Sequence, residues 1–322
     1  MKLLIGTKEE AEWSFDLEDR HIEQIKDSFP ELDVVIATGE EIAKESLNAD
    51  ICAGFPVRIP KVVDGMQVKW IHTFSAGVDY ILTPEVAEND NIIVSNSSGV
   101  HAIPIAEHML GMMIAWNNNF PTLFAQQQKK VWQSANPTSE LYGNEVLIVG
   151  LGAIGSRLAE LLFALGSTVR GVVRTKRDAP KFIESLHTLD SMDEALAEAD
   201  YVINCLPGGP ATKDLFNETL FSQMKDTAVF GNVGRGTSVN QVDLIEALRQ
   251  GTIAGALLDV TTPEPLPEDN PLWAMKNVII TPHCSASSPR HMDRIIDQFC
   301  DNIVAFLKGE ELPNQVNKDL GY

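Results

Sequence analysis

The stretch VLIVGLGAIGSRLAELL, residues 146–162, decides the fold. An apolar run ends in Gly150-x-Gly152-x-x-Gly155, and a helical pattern opens directly behind it. Strand, glycine loop and helix in that order are what a dinucleotide requires. Gly150 makes the tight turn, Gly152 lets the backbone approach a pyrophosphate, and Gly155 lets helix and strand pack closely. The phosphates then rest on unpaired N–H groups at the helix N-terminus.

Further short β-rich runs ending in Gly, Pro or Ser follow on both sides, with helical patterns between them, the signature of parallel βαβ units. Around the glycine loop they are NEVLIVG (144–150), TVRGVV (168–173), ADYVINCLP (199–207), TAVFGNVG (227–234), AGALLDV (254–260) and NVIITPH (277–283). With helices such as SRLAELLFALG (156–166) and QVDLIEALRQG (241–251), they make a complete doubly wound set. The first third repeats the pattern in KLLIG (2–6), DVVIATG (33–39), ADICAGF (49–55), VKWIHTFSAG (68–77) and NIIVSNSSG (91–99), but none of these loops has dinucleotide glycine spacing. Between the two sets, HAIPIAEHMLGMMIAW (101–116) reads as a buried helix. The polar, amide-rich stretch 117–143 reads as a connector, and is a candidate oligomer surface or an ordinary solvated helix and loop. The last segment, 289–312, has Ile295, Ile296, Phe299, Ile303 and Phe306 at helical spacing, and predicts a helix that returns to the first domain.

The 322 residues suffice for two domains, each with its own core. MKLLIG is followed at once by the charged run TKEEAEW, and no run approaches the roughly 18 apolar residues of a membrane span, so a cytoplasmic protein is expected. Cys52, Cys205, Cys284 and Cys300 lie far apart with no C-x-x-C pair, which suggests neither a disulfide framework nor a bound metal. A formal net charge of −20 argues against nucleic acid and anionic membranes as partners. Any anionic ligand must meet a local concentration of cations.

That concentration is RGVVRTKR, residues 170–177. The second strand of a NAD site usually ends in an acid that binds the ribose hydroxyls, whereas Arg there suits the 2′-phosphate of NADP. Here Arg174 holds the place of the acid, with Thr175, Lys176 and Arg177 able to add a hydroxyl and further cations. Arg170, inside the strand, is expected on the surface or between helices. A solvated basic loop is the alternative.

Ligands of open α/β sheets bind beyond the carboxyl ends of the strands. FGNVGRG ends in Arg235, LLDVTTPEP leads to Glu264, and VIITPHC ends in His283. An arginine fork grips a carboxylate and a neighbouring carbonyl oxygen. A histidine moves a proton near neutral pH, and a carboxylate beside it fixes the ring. With a nicotinamide, the set describes hydride transfer to a 2-oxo acid. The other six histidines, including His101 and His108, show no such partners in the sequence.

These residues resemble the D-isomer-specific 2-hydroxyacid dehydrogenases, a family that includes glyoxylate and hydroxypyruvate reductases. The markers are VGLGAIG, CLPGGPATKDLFN, MKDTAVFGNVGRGTSVNQVDLIEAL, GALLDVTTPEPLPEDNPLW and NVIITPHCSAS. The resemblance implies an α/β fold of two Rossmann-like doubly wound domains with parallel sheets and an active-site cleft between them. The substrate domain is expected at 1–99 with 289–322 and is flavodoxin-like; the dinucleotide-binding domain is expected at 100–288. It implies Arg235 on the substrate, Glu264 supporting His283, and Ala76, Gly77 and Val78 of FSAGVDY holding the substrate carboxylate. Cofactor contacts are implied for Ala153 and Ile154 on the phosphates, for Cys205, Leu206, Pro207 and Thr212, and for Val233, Asp259, His283 and Ser285 around the nicotinamide. The family is commonly dimeric. Two departures are Thr261, where an aromatic often follows D-V, and Arg174 in place of the acid, which favours NADP(H) while leaving NAD(H) possible.

The expected activity is therefore reduction of a small 2-oxo acid by NADPH, with His283 as proton donor. Two other readings use the same scaffold: a dinucleotide-sensing binding protein similar to the family's corepressors, and a phosphite-type dehydrogenase. A formate dehydrogenase is disfavoured by Glu264, since in those enzymes an amide replaces the carboxylate beside the histidine.

Overall fold

The runs ICAG, WIHT, YVIN and VFGN are buried at every position, as strands are when a parallel sheet is covered on both faces. A computed structural model of the chain describes residues 1–7, 17–55, 61, 66–78, 80–175 and 177–318. It divides into two compact units, Met1–His101 with Ser287–Tyr322, and Ala102–Ala286. The breaks stand at 101/102 and 286/287, against 99/100 and 288/289 in the sequence reading.

In the first unit, β1 (Lys2–Thr7), β2 (Asp33–Thr38), β3 (Ile51–Gly54), β4 (Trp70–Thr73) and β5 (Ile93–Asn96) form one sheet in the order β2-β1-β3-β4-β5. Every pairing between these five strands is parallel, and the order is the flavodoxin-like form of the doubly wound sheet. Helices α1 (Asp19–Ser28), α2 (Glu40–Ser46) and α3 (Pro84–Ala87) stand between the strands. Successive side chains of a strand face opposite sides. Leu3 and Ile5 therefore enter one core with Trp70 and Phe74, while Leu4 enters the other with Cys52, Ile71 and Val94.

The second unit begins with α4 (Ala102–Asn117) and α5 (Phe120–Gln128). It continues through β6 (Glu145–Val149), α6 (Ala153–Ala164), β7 (Thr168–Val172), β8 (Ser185–His187), α7 (Asp193–Glu198), β9 (Tyr201–Asn204), α8 (Glu218–Gln223), β10 (Val229–Asn232), α9 (Gln241–Gln250), β11 (Gly255–Leu258) and β12 (Val278–Ile280). The sheet order is β12-β11-β10-β9-β6-β7-β8, again with parallel pairings only. Strand order reverses at β6, between β7 and β9, which is the switch point of a Rossmann sheet. Leu147, Val149, Phe230 and Leu258 fill the core on one face; Val146, Ile148, Ile203 and Leu257 fill the core on the other.

β8 corrects the sequence reading, which stopped at six strands for this sheet. Its three residues, SLH, are half-buried and sit at the sheet edge beside β7, so they lack the apolar run that marks the inner strands. α4 is the expected buried helix, with Ile105, Met109, Met112 and Met113 in the core. α5 buries no side chain, and the connector after it leaves Trp132 and Tyr142 exposed. The final helix, α10 (His291–Lys308), returns to the first unit and packs Ile295, Ile296, Phe299 and Ile303 against Leu3, Ile5 and Trp70. Among the described residues, no helix is long and apolar enough to cross a membrane.

Each unit carries a buried polar network. In the first, His72 lies 2.7 Å by Nδ1 from Ser95 Oγ and 3.3 Å by Nε2 from Ser97 Oγ. Ser95 Oγ accepts the Trp70 indole N–H, and the Ser97 hydroxyl donates to the Thr73 carbonyl. The proton count then has Ser95 donating to Nδ1 and Nε2–H donating to Ser97, a neutral ring stacked on Phe299 at 4.6 Å. Complete burial pushes the imidazole down to about 3.

In the second, Asn204 Nδ2 donates to Asn232 Oδ1 (2.9 Å) and to Ser238 Oγ (2.6 Å), while its Oδ1 accepts the Leu206 N–H. Ser238 and Asn232 both donate onward to the Arg235 carbonyl, at 2.6 and 3.2 Å. The ends of β9 and β10 are thus tied together, with the backbone of Arg235 as the anchored point.

Replacing Asn204 by Leu leaves the buried Asn232 Oδ1 and Ser238 Oγ, and the Leu206 N–H, each short of a partner. Each such loss costs about 1–3 kcal/mol, so Asn204→Leu should lower the urea midpoint measurably without changing the far-UV spectrum. The His72 pKa is depressed on folding, so the unfolded chain, titrating near the ordinary value of about 6.5, takes up the proton first. The stability this group contributes is complete above that pH and is lost as pH falls toward its folded value. Urea unfolding from pH 7 to pH 4 should therefore show a steeper loss for the wild type than for His72→Gln.

Candidate active site

The glycine loop joins β6 to α6 and has the geometry its spacing predicts. Gly150 sits at φ +102°, a conformation side chains rarely adopt, and a Cβ there would meet the Cys205 carbonyl carbon at 2.9 Å. A Cβ on Gly155 would run into the Gly150 carbonyl oxygen and into Ile148 at 3.0 Å. Gly152, by contrast, faces open space and opens α6 with no side chain capping its first N–H groups. An uncapped helix N-terminus behind an uncovered glycine is a cradle for a phosphate, to which Ala153 and Ile154 would turn their N–H groups. The residues present therefore fit a dinucleotide.

The stretch after β7 separates into three roles. Arg170 pairs with Glu145 (3.3 Å) and Glu198 (2.7 Å), bridging the strand to α7. Arg174 and Thr175 are exposed beyond the strand end, and Lys176 lies outside the described residues. Arg177 bends back to donate from Nη2 to the Leu151 carbonyl at 2.8 Å, inside the glycine loop. A guanidinium that the sequence treats as a neighbour of the site is thereby drawn onto the loop itself.

Beyond β9, the carbonyl of Cys205 and the N–H of Leu206 pack on Gly150, and burial pushes the Cys205 thiol up to about 12, which favours the neutral thiol. Thr212 Oγ1 donates to the Pro207 carbonyl at 2.8 Å. Val233 is buried, with its N–H on the Asn204 carbonyl at 3.1 Å. Arg235 is exposed, and its Nη1 donates to the Gly234 carbonyl at 2.9 Å. The neighbouring Gly236 leaves no room for a Cβ against the Thr261 carbonyl, so the backbone carrying Arg235 lies directly on the loop that leads to Glu264.

His283 and Glu264 meet: Nδ1 is 2.7 Å from Oε2. The other carboxylate oxygen accepts the Thr261 N–H at 2.9 Å, which fixes the plane of the carboxylate. A carboxylate on Nδ1 places the proton there and leaves Nε2 for a ligand. Asp259 and Ser285 are buried, and Asp259 accepts the N–H groups of Cys284 (Oδ1, 3.0 Å) and Ser285 (Oδ2, 3.2 Å).

In the first unit, the Ala76 carbonyl accepts Asn96 Nδ2 at 2.9 Å and the Gly77 carbonyl accepts Ser75 Oγ at 2.8 Å. A trans peptide points its C=O and N–H in opposite directions. Pinning these two carbonyls therefore turns the N–H groups of Gly77 and Val78 away from Asn96 and Ser75.

The sequence reading of the remaining histidines needs correction. His108 Nε2 is 2.9 Å from Thr281 Oγ1 and 3.8 Å from Asp259 Oδ1, and His21 Nε2 is 2.9 Å from Asp293. Both partners are far away in sequence, so spacing gave no signal. His108, Asp259 and Cys284 also bring potential ligand atoms within 4.8 Å of one another. Asp259 Oδ1 there is already occupied by internal donors.

Residues 110–285 match the model of the D-isomer specific 2-hydroxyacid dehydrogenase family, NAD binding domain. The human glyoxylate reductase/hydroxypyruvate reductase is 32% identical over 257 residues, 78% of this chain and 78% of the relative. Among solved structures, a D-isomer specific 2-hydroxyacid dehydrogenase family protein from Aeromonas salmonicida superposes with a TM-score of 0.85 at 30% identity, covering 99% of both chains. The NADPH-dependent glyoxylate/hydroxypyruvate reductase of Sinorhizobium meliloti, solved with NADP and sulfate, gives 0.79 at 26% identity over 100% of this chain and 99% of the other. With the glycine cradle and the strand-end residues in place, the chain belongs to the D-isomer specific 2-hydroxyacid dehydrogenases, oxidoreductases that use a nicotinamide cofactor.

Proposed function

We propose that the protein reduces small 2-oxo acids of the glyoxylate or hydroxypyruvate type with NADPH, forming the D-2-hydroxy acid where the product is chiral. The observation that carries this is the 2.7 Å contact of His283 Nδ1 with Glu264, on the edge where Arg235 also emerges. Glu264, held by the Thr261 N–H, keeps Nδ1–H of the ring, so that the doubly protonated imidazolium gives its Nε2 proton to the substrate carbonyl oxygen and is left neutral with its remaining proton on Nδ1. Arg235 grips the substrate carboxylate through its fork and draws electrons from the adjacent carbonyl. Ala76, Gly77 and Val78 of the first unit are assigned to the same carboxylate. When bound, the nicotinamide supplies the hydride that reaches the carbonyl carbon. Proton and hydride together convert C=O to CH–OH.

Cofactor contacts are assigned to Gly150, Gly152, Ala153, Ile154 and Gly155 on the pyrophosphate, to Cys205, Leu206, Pro207 and Thr212, and to Val233, Asp259, His283 and Ser285 around the nicotinamide. NADP over NAD rests on Arg174 at the end of β7, where no acid stands, and on Arg177 against the glycine loop. The relative from S. meliloti, described as NADPH-dependent, agrees with that preference. A cytoplasmic homodimer is the proposed working form; the exposed Phe124, Trp132 and Tyr142 of the connector region are its candidate contact surface.

With NADPH and glyoxylate or hydroxypyruvate, nicotinamide absorbance should fall. His283→Asn should lower kcat by about 10²–10⁴-fold, and Glu264→Gln should lower it by less, with KM little changed in either. No consumption with any 2-oxo acid and either cofactor overturns the reading, and tight cofactor binding without turnover would favour a sensing protein. Turnover of phosphite with NADP would point to the other dehydrogenase. Arg174→Asp removes a charge-assisted contact, worth roughly 1.5–3 kcal/mol, so NADPH binding should weaken by about 10–100-fold while NADH binding barely changes. Equal losses for both cofactors make the stretch an ordinary basic loop.

A further inference from the structure

Residues 281–285, the turn that carries His283, hang on one buried side chain. Asp259 is 2% exposed and follows directly on β11. Its Oδ1 accepts the Thr281 hydroxyl (2.6 Å) and the Cys284 N–H (3.0 Å), and its Oδ2 accepts the Ser285 N–H (3.2 Å). Its main-chain carbonyl accepts the His283 N–H at 2.8 Å. Such a harness has work to do, because His283 sits at φ +50°, a left-handed conformation that costs a side-chain-bearing residue about 1–2 kcal/mol. Without the donors on Asp259 the turn would relax toward ordinary backbone angles, and the ring would leave Glu264.

The chain of bonds does not end at Thr281. A hydroxyl has one proton, and at 2.6 Å it is committed to the Asp259 carboxylate. Toward His108 Nε2, 2.9 Å away, Thr281 Oγ1 can then offer only a lone pair, so the imidazole donates. His108 stands on α4, a helix that supplies none of the residues assigned above, and its ring edge faces Asp259 Oδ1 at 3.8 Å. The direction His108 Nε2–H to Thr281 Oγ1–H to Asp259 Oδ1 is fixed by proton count alone. If the ring could not donate, the Thr281 oxygen would lose a partner, and the hydroxyl would be less firmly held to the carboxylate.

We propose that His108 is a positioning residue for the reaction. Its Nε2–H holds the Thr281 hydroxyl on Asp259, and so keeps the 281–285 turn in the arrangement that presents His283. The link to turnover rests on the reductase reading above; the link to the turn does not.

Four variants of the full chain test it: His108→Leu, which keeps bulk and removes the donor; His108→Gln, whose amide N–H can reach the same hydroxyl; Thr281→Val; and the double variant His108→Leu/Thr281→Val. Amide exchange in peptides covering 281–285, followed by mass spectrometry on cofactor-free protein, reads the turn directly. Loss of one hydrogen bond of this kind corresponds to about tenfold. Exchange at Cys284 and Ser285 should quicken by about that factor in His108→Leu and return most of the way in His108→Gln. In the NADPH and glyoxylate assay, kcat should fall about tenfold in His108→Leu while KM for the keto acid changes less than about threefold, because Arg235 lies outside this chain of bonds. The double variant should lose no more than the worse single one, as expected for two groups in one network.

Wild-type exchange and kcat in His108→Leu overturn the proposal. So do additive losses in the double variant, or a His108→Gln variant as impaired as His108→Leu with an equal fall in Tm, which would make the histidine a packing residue. Should the wild type reduce no 2-oxo acid at all, the reductase reading fails and the exchange data alone decide the role of His108 in the turn.

Discussion

Parallel pairing governs this molecule. In the second sheet every strand runs the same way, so the carboxyl ends of β6, β7, β9, β10, β11 and β12 open along one edge. Parallel strands need a crossover between each pair, and the crossovers bury both faces of the sheet. The polar chemistry is therefore confined to the strand ends, where the backbone leaves the ladder. The glycine loop, Arg174, Cys205, Arg235, Glu264 and His283 all follow such ends.

An edge of loops is not rigid by itself, and two buried polar networks stiffen it. Asn204, Asn232 and Ser238 tie β9 to β10 and converge on the Arg235 carbonyl. Asp259 ties β11 to the turn after β12 and converges on the residues around His283. Each network satisfies its buried groups within the protein, which is the condition for polar side chains to remain inside a core. The two side chains expected to act on substrate are thus held through their backbones, while their functional ends remain accessible.

Electrostatically, a chain of formal charge −20 repels polyanions at long range. Neutralisation of an anionic cofactor must be local, and the residues after β7 are the ones proposed for it. Of the cations there, Arg170 is spent on Glu145 and Glu198, and Arg177 is drawn onto the glycine loop. Two of the charges of RGVVRTKR thus divide between holding β7 in place and bracing the glycine loop.

The sequence by itself determined everything carried by local pattern: the strands with continuous apolar runs, the glycine loop, the returning helix within 289–312, and the three strand-end residues Arg235, Glu264 and His283. Apolar period and turn chemistry are local, and a run such as VLIVGLGAIG allows few other structures. Only the tertiary structure decided which distant polar groups meet. β8 escaped notice because three half-buried residues at a sheet edge carry no pattern. His108 carries no signal in the sequence because Thr281 and Asp259 lie more than a hundred residues beyond it, directly after strands that come to α4 only when the sheet is wound. The direction of hydrogen bonding among those three follows from counting protons once they are neighbours, and nothing in their spacing along the chain could have supplied it.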